Sequence, residues 1–353
     1  MKRLYFPAFN ALVGAAFGGA VGYYVFAPVQ GILYGMAIGL IPALLLEFLL
    51  GKSGTDSWIY KRRVLFLVLL EIPLVTFIIG PYAYVVANSR PDHYEICCET
   101  PLDYGADTYE SVQIRTPEGF TLSGWFIPPV ENPGAVIVLL HGGGRDRRGC
   151  SWYAEQLINA GYGIMMYDQR GLGESSGEIA PMGYVQAGDL LAVLDFLQDR
   201  PEVDPERIGA VGISTGAHIS INAAYRDQRR IKAMWLDGIQ AQRVEDFPAA
   251  ETTGEEFALL INKMILAMSE LYYHQPVPAA FIDILPELRN AAIMMVAGGD
   301  ERFERLVNEQ YRDAAGTNIE VWIIEGARHV GGPFVIPDEY ADRMLYFFET
   351  NLP

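Results

Sequence analysis

Beyond residue 109 the chain alternates, and that alternation constrains its fold more than any other feature. Short runs rich in β-branched and aromatic residues are separated by longer stretches with helical apolar spacing, the pattern of a mainly parallel sheet covered by helices on both faces. Ser111–Arg115 and Thr121–Pro128 read as a hairpin around the turn residues Pro117, Glu118 and Gly119. Ala135–Leu140 is wholly apolar, as a strand buried on both faces must be. A helix over Ser151–Ala160, a strand at Gly163–Tyr167, a helix near Val185–Gln198, a strand at Ile208–Ile213 and a helix from Thr215 follow. Strands at Ile231–Leu236, Ala291–Ala297 and Ile319–Ile324 bring the number to eight, and a last helix runs from about Asp338 to Glu349. Between about residues 240 and 290 the rhythm breaks. Glu255–Tyr273 is amphipathic, with Phe257, Leu260, Ile261, Met264 and Ile265 on one stripe. An insertion of that length is expected to act as a helical lid.

Residues 1–90 have a different character. Three apolar runs, 6–27, 31–50 and 64–87, hold only Glu47 and Glu71 as charges. Each is long enough to cross a hydrocarbon core of about 30 Å at about 1.5 Å per residue, so three transmembrane helices are expected. Gly14, Gly18 and Gly22, and again Gly31, Gly35 and Gly39, recur every four residues. Such stripes suit two helices packed closely in lipid. Basic residues flank the first two runs on one side, which orients residues 91–353 to the extracytoplasmic face. The expected arrangement is therefore a membrane anchor over 1–90 and a catalytic domain over 91–353.

Charge and cysteines exclude several functions. Residues 1–90 carry seven basic and three acidic side chains, so of the net charge of −17 the remainder of the chain holds −21. So acidic a body repels phosphate backbones and excludes nucleic acid as a partner. Three cysteines, Cys97, Cys98 and Cys150, have no repeated spacing and form neither a disulfide framework nor a zinc site. They are free thiols, or in an oxidising compartment one of the first two bridges to Cys150.

The segment Val211-Gly212-Ile213-Ser214-Thr215-Gly216 follows an apolar strand and opens a helix. That is the setting of a G-x-S-x-G nucleophile elbow, in which a tight turn projects a hydroxyl beyond the sheet. A serine needs a general base. His329 is the candidate, in a loop just past the strand Ile319–Ile324, because sites form at strand ends on one edge of such a sheet. His218, four residues after Ser214, His141 in a glycine loop, His93 and His274 are less well placed. Asp300, following the apolar strand Ala291–Ala297, is the candidate to orient the imidazole. Glu301 is the alternative and Asp237 a weaker rival. The oxyanion donors are assigned to the N–H groups of Gly143, in the loop His141-Gly142-Gly143-Gly144, and Thr215, first in the helix after the serine.

Taken together, His141-Gly142-Gly143, the stretch from Asp168 to Gly177, the elbow at Ser214, Asp300 and His329 resemble the α/β-hydrolase superfamily, in its branch of lipase-like esterases and serine aminopeptidase-like hydrolases. The resemblance covers about three quarters of the chain. It implies acyl transfer without metal or organic cofactor, and a structural role for the loop Asp168–Gly177. The acid loop is shorter than the G-x-x-D spacing frequent in the family, and the apolar front is not part of the common domain. Ester hydrolysis of a small-molecule or lipid acyl substrate beside membrane lipid is the expected function. Peptidase action is the second expectation, and a non-catalytic binding or sensor module the third.

Overall fold

The computed structural model describes residues 72–131, 133–183, 185–316 and 319–352, together with 58, 62, 65, 66 and 69. These fall into two compact units. One takes the residues up to Asn88 together with Leu260–His274, and the other takes Ser89–Leu259 and the residues from Gln275 onward.

The second unit holds the sheet. A two-stranded pairing joins β1 (Asp92–His93) in parallel to β6 (Leu172–Gly173). The main sheet has eight strands: β2 (Glu110–Arg115), β3 (Thr121–Ile127), β4 (Gly134–Leu140), β5 (Gly163–Tyr167), β7 (Val203–Ile213), β8 (Ala233–Asp237), β9 (Ala292–Gly298) and β10 (Ile319–Ile324). Their order is β10-β9-β8-β7-β4-β5-β3-β2. β3 is antiparallel to both β2 and β5, while every pairing from β5 through β10 is parallel. The sheet is therefore mixed, its antiparallel edge being the hairpin read from the sequence.

All seven residues of β4 are buried, and their alternation divides the core in two. Val136, Val138 and Leu140 join one apolar cluster, and Ala135, Ile137 and Leu139 the other. Successive side chains of a strand point to opposite faces, so a strand covered on both sides must be apolar throughout. Burying each such Ile, Leu or Val contributes about 1.5–3 kcal/mol. The covering helices include α2 (Ser151–Asn159), α3 (Ala187–Gln198), α4 (Thr215–Arg226), α7 (Arg302–Ala315) and α8 (Pro337–Asn351). One of them, α7, was not legible in the sequence. Between residues 240 and 290 there is no strand among the described residues. The segment folds into α5 (Thr253–Tyr273), the short α6 (Phe281–Ile284) and single 3₁₀ turns. The stripe expected along α5 is open at its start, Phe257 being 51% and Leu260 41% exposed.

No helix among the described residues is long and apolar enough to cross a membrane. This overturns the expected architecture of three transmembrane helices before the sheet, and with it the assignment to an integral, multi-pass membrane protein with an extracytoplasmic catalytic domain. The expected spans 6–27 and 31–50, with their glycine stripes, lie outside the described residues. Of the third, 64–87, residues 65, 66 and 69 and those from 72 onward are described. Its backbone widens to a π turn at Val75–Ile79, where Gly80 N–H donates to Val75 O, before α1 (Gly80–Asn88). Helical backbone among the described residues of this run extends over 72–88, about 25 Å at about 1.5 Å per residue and short of a hydrocarbon core of about 30 Å. Within this first unit the Tyr82 ring meets Tyr272 edge-on at 6.1 Å.

Candidate active site

Four neighbouring parallel strands, β7, β8, β9 and β10, deliver their C-terminal ends in chain order to one edge of the sheet. β4 lies on the other side of β7, so the strand order reverses between them. The crevice outside such a reversal is where ligands of open α/β sheets bind. Ser214 follows β7, Asp237 ends β8, Glu304 lies just beyond β9 and His329 just beyond β10.

Ser214 caps α4 with φ 52° and ψ −113°, a conformation that L residues rarely adopt. Positions of this kind cost about 1–3 kcal/mol and persist only where the surroundings hold them. Here Ser214 N–H donates to Asp237 O at 2.7 Å, and Ser214 O accepts from Ala217 N–H at 2.9 Å. The flanking glycines are sterically required. A Cβ on Gly212 would stand 2.6 Å from Ala217 Cα, and one on Gly216 would stand 2.2 Å from Leu140 O. The elbow can turn this sharply only because neighbouring backbone occupies the space two side chains would take.

The Ser214 hydroxyl lies 3.0 Å from His329 Nε2, and His329 Nδ1 lies 2.5 Å from Glu304 Oε2. Glu304 is buried, at 1% exposure, and its second oxygen accepts from Gly298 N–H at 2.9 Å. With Glu304 ionised, Nδ1–H donates to the carboxylate, which leaves the Nε2 lone pair facing the hydroxyl. The hydrogen bond and charge of Glu304 push the His329 pKa up, partial burial opposes them, and Asp237 and Glu301 add smaller upward contributions.

The structure brings Ser214 and His329 within hydrogen-bonding distance, but it does not bring Asp300 to the imidazole. Asp300 is exposed and is held by its backbone, its N–H donating to Ala327 O at 3.0 Å. Glu301 caps α7 and influences His329 only at a distance. The acid against His329 is Glu304, in the first turn of α7. The reason is geometric: the turn Gly298–Glu301 ends β9, and the helix then directs its buried face back toward the sheet edge. That face carries Glu304, Val307, Asn308 and Tyr311, all buried. Their spacing of three, four and seven is the signature of one helical stripe. A carboxylate on that stripe was the signal available in the sequence.

Asp237 takes another role. Fully buried, it accepts from Tyr153 at 2.8 Å and from Tyr340 at 2.7 Å, while Trp235 Nε1–H donates to the Tyr340 hydroxyl at 2.8 Å. Burial raises its pKa to about 6, against the lowering effect of the two tyrosines. The residue holds the end of β8, and its backbone oxygen holds Ser214. Neither Tyr153 nor Tyr340 was singled out from the sequence.

The glycine loop after β4 faces the elbow. Cβ atoms built on Gly142 and Gly143 would lie 3.6 Å from Ser214 Cβ and 3.0 Å from Thr215 Oγ1. His141 anchors this loop: its buried Nε2 accepts from Gln169 N–H at 3.0 Å, so Nδ1 carries the proton, facing Gly142 O at 2.8 Å. Burial lowers its pKa to about 4, keeping it neutral. Desolvation likewise lowers His218 to about 4, and its ring packs edge-on to Phe281 at 4.9 Å, the setting of a core histidine. His93 pairs with Gly177 O at 2.8 Å.

The loop from Asp168 to Gly177 is a knot of buried polar contacts. The Asp168 carboxylate accepts from Arg147 N–H and Glu174 N–H, each at 2.8 Å, and meets the Arg147 guanidinium at 3.3 Å. Burial nonetheless raises its pKa to about 6. Arg170 is paired with buried Asp189. No group of three or more metal-ligating side chains occurs among the described residues. All three cysteines are free, Cys150 being buried and the other two exposed, so no bridge to Cys150 forms.

Comparison with known proteins agrees with this architecture. Residues 131–251 match the family described as serine aminopeptidase, S33, a stretch that includes Ser214 but stops before Glu304 and His329. Over 195 residues the chain is 29% identical to the uncharacterized protein YfhR of Salmonella typhi, covering 50% of this chain and 63% of that one. Over 127 residues it is 32% identical to the thiohydrolase aneE of Aspergillus aculeatus, covering 35% of this chain and 39% of that one. The chain therefore spans less than two thirds of the length of these relatives. Among solved structures, the Pyrococcus furiosus esterase Pf2001 is similar with a TM-score of 0.58 at 22% identity, over 75% of this chain and 100% of that one. A dienelactone hydrolase from Anabaena variabilis gives 0.52 at 18%, over 70% of this chain and 99% of that one. The chain has the fold of the α/β-hydrolases, and its residues 131–251 are similar to a family of serine hydrolases.

Proposed function

We propose that the protein hydrolyses a carboxylic ester of a small acyl substrate through an acyl-enzyme on Ser214. The observation that carries this reading is the unbroken relay from Ser214 Oγ to His329 Nε2 at 3.0 Å and from His329 Nδ1 to Glu304 Oε2 at 2.5 Å. As Ser214 attacks the carbonyl, His329 takes the hydroxyl proton and Glu304 stabilises the imidazolium. The N–H groups of Gly143 and Thr215, at the loop and helix start that face the serine, receive the developing oxyanion. His329 then protonates the leaving alkoxide, and a water molecule it deprotonates releases the acid. The helix dipole of α4 adds to the stabilisation of negative charge at Ser214.

The esterase and thiohydrolase names among similar proteins support ester or thioester over amide chemistry, while the family description favours a peptidase as the second reading. The test is labelling of the purified chain with a fluorophosphonate probe, followed by rates on matched acyl esters, acyl thioesters and aminoacyl amides. Covalent label on Ser214, lost in Ser214→Ala, and turnover of esters ahead of amides are expected. A folded chain that never labels would mark a non-catalytic binding module. Faster turnover of aminoacyl amides would select the peptidase.

A further inference from the structure

We propose that Cys97 and Cys98 form a reversible vicinal disulfide, which makes the segment between β1 and β2 a site of thiol–disulfide modification separate from the acyl-transfer chemistry.

The two residues are adjacent, both exposed, and their sulfur atoms stand 2.6 Å apart. That is only about half an ångström beyond a covalent S–S bond of about 2.05 Å. Cys98 has φ 74°, and is one of four non-glycine residues with positive φ among the described residues; another is Ser214. The segment is fastened on both sides of the pair. Ile96 N–H donates to Glu174 Oε1 at 3.0 Å, and Thr100 N–H donates to Asp103 Oδ2 at 2.8 Å. The backbone therefore presents both thiols on one side without needing to rearrange. The hydrogen bond shared with Cys97 pushes the Cys98 pKa up, and Arg148 pulls weakly the other way. Cys150, buried to 0% exposure and with its thiol pushed up by burial, does not compete.

The oxidant is a low-molecular-weight disulfide. The thiolate of Cys97 attacks one sulfur of that disulfide and expels its first thiol. Cys98, giving up its proton, then attacks Cys97 Sγ, breaks the mixed disulfide and expels the second thiol. Two cysteine thiols are oxidised to one S–S bond, and one external disulfide is reduced to two thiols. Proximity favours ring closure over a second external attack, because the second sulfur is already in contact. The ring also remains easy to open. Adjacent Cα atoms are about 3.8 Å apart, below the roughly 4.4 Å lower bound of ordinary disulfides, and strained exposed bridges are the readily reduced ones.

The test exposes the reduced full-length chain to oxidised glutathione, quenches it with acid and an alkylating agent, and examines the peptide carrying both cysteines by mass spectrometry. The expected product is lighter by two hydrogens, carries neither alkyl nor glutathione, and regains two alkylation sites after dithiothreitol. Cys97→Ser and Cys98→Ser each leave one thiol, so each accumulates a single glutathione adduct, which shows that the oxidant reaches the site. A wild-type chain carrying glutathione at Cys97 or Cys98 would overturn the proposal. So would one that stays reduced where Cys97→Ser is modified, or one that dimerises through these residues.

Discussion

Replacing Glu304 by glutamine separates the assignment made here from its rivals. The two oxygens of Glu304 face different partners: one accepts from Gly298 N–H at 2.9 Å and the other from His329 at 2.5 Å. A glutamine of the same length must place its carbonyl oxygen on the Gly298 N–H, because that site offers only a donor. Its NH₂ group then points at His329 Nδ1 and requires a lone pair there. The imidazole proton is forced to Nε2, facing the Ser214 hydroxyl, where a base must have none. The cost is a wrong tautomer plus the lost stabilisation of imidazolium. In a serine protease the same exchange lowers kcat by about 10⁴, which at about 1.36 kcal/mol per decade is roughly 5 kcal/mol of transition-state stabilisation. The assay is kcat/KM on a short-chain p-nitrophenyl ester, with circular dichroism as a check on folding. A fall of about 10³ to 10⁴ is expected for Glu304→Gln, against less than tenfold for Asp300→Asn and Glu301→Gln. A folded Glu304→Gln within tenfold of wild type, with Asp300→Asn inactive, would refute the reasoning.

Four further outcomes follow from the geometry. Because Glu304 raises the His329 pKa and the base must be neutral, the acid limb of kcat/KM should lie above the ordinary histidine value of about 6.5, and Glu304→Gln should move it down. For stability the raised folded pKa has the opposite sense: the His329–Glu304 contribution is full below about 6.5 and fades as pH rises through the folded value, so the Tm advantage of wild type over Glu304→Gln should shrink with rising pH, and a growing gap would contradict this. Ser214→Gly should be more stable than Ser214→Ala by about 1 kcal/mol in urea unfolding, since glycine relieves the strain at φ 52°; the reverse order would mean the elbow stores none. Tyr340→Phe should cost about 2–5 kcal/mol, because it removes at once the acceptor of Trp235 N–H and a donor to buried Asp237, each worth about 1–3 kcal/mol when left unpaired; a loss under 1 kcal/mol would show that these groups find other partners.

The sheet was legible because its signals are local. β4 and β5 are continuous apolar runs between turn residues, and the elbow shows itself through two glycines whose missing side chains the backbone requires. Ser214 and His329 were readable from their places at strand ends. Glu304 was missed because Gly298-Gly299-Asp300-Glu301 looks like a complete acid loop. The helix that follows is polar on most of its surface, so α7 carries no apolar run to announce it. Its information lies in one stripe where Glu304 shares a face with Val307 and Tyr311. The apolar front misled for a different reason. Length and hydropathy measure only whether a segment could cross a bilayer, and the described part of the third run departs from α geometry at Val75–Ile79.

The relay draws on β7, β9 and β10, and among the described residues β10 ends the sheet, hydrogen-bonded to β9 alone. Border strands open at lower free energy than the centre of a sheet. Mild heat or denaturant should therefore silence Ser214 while most backbone amides stay protected from exchange. During refolding, reactivity toward a fluorophosphonate should return last, reporting the docking of that final strand rather than formation of the elbow.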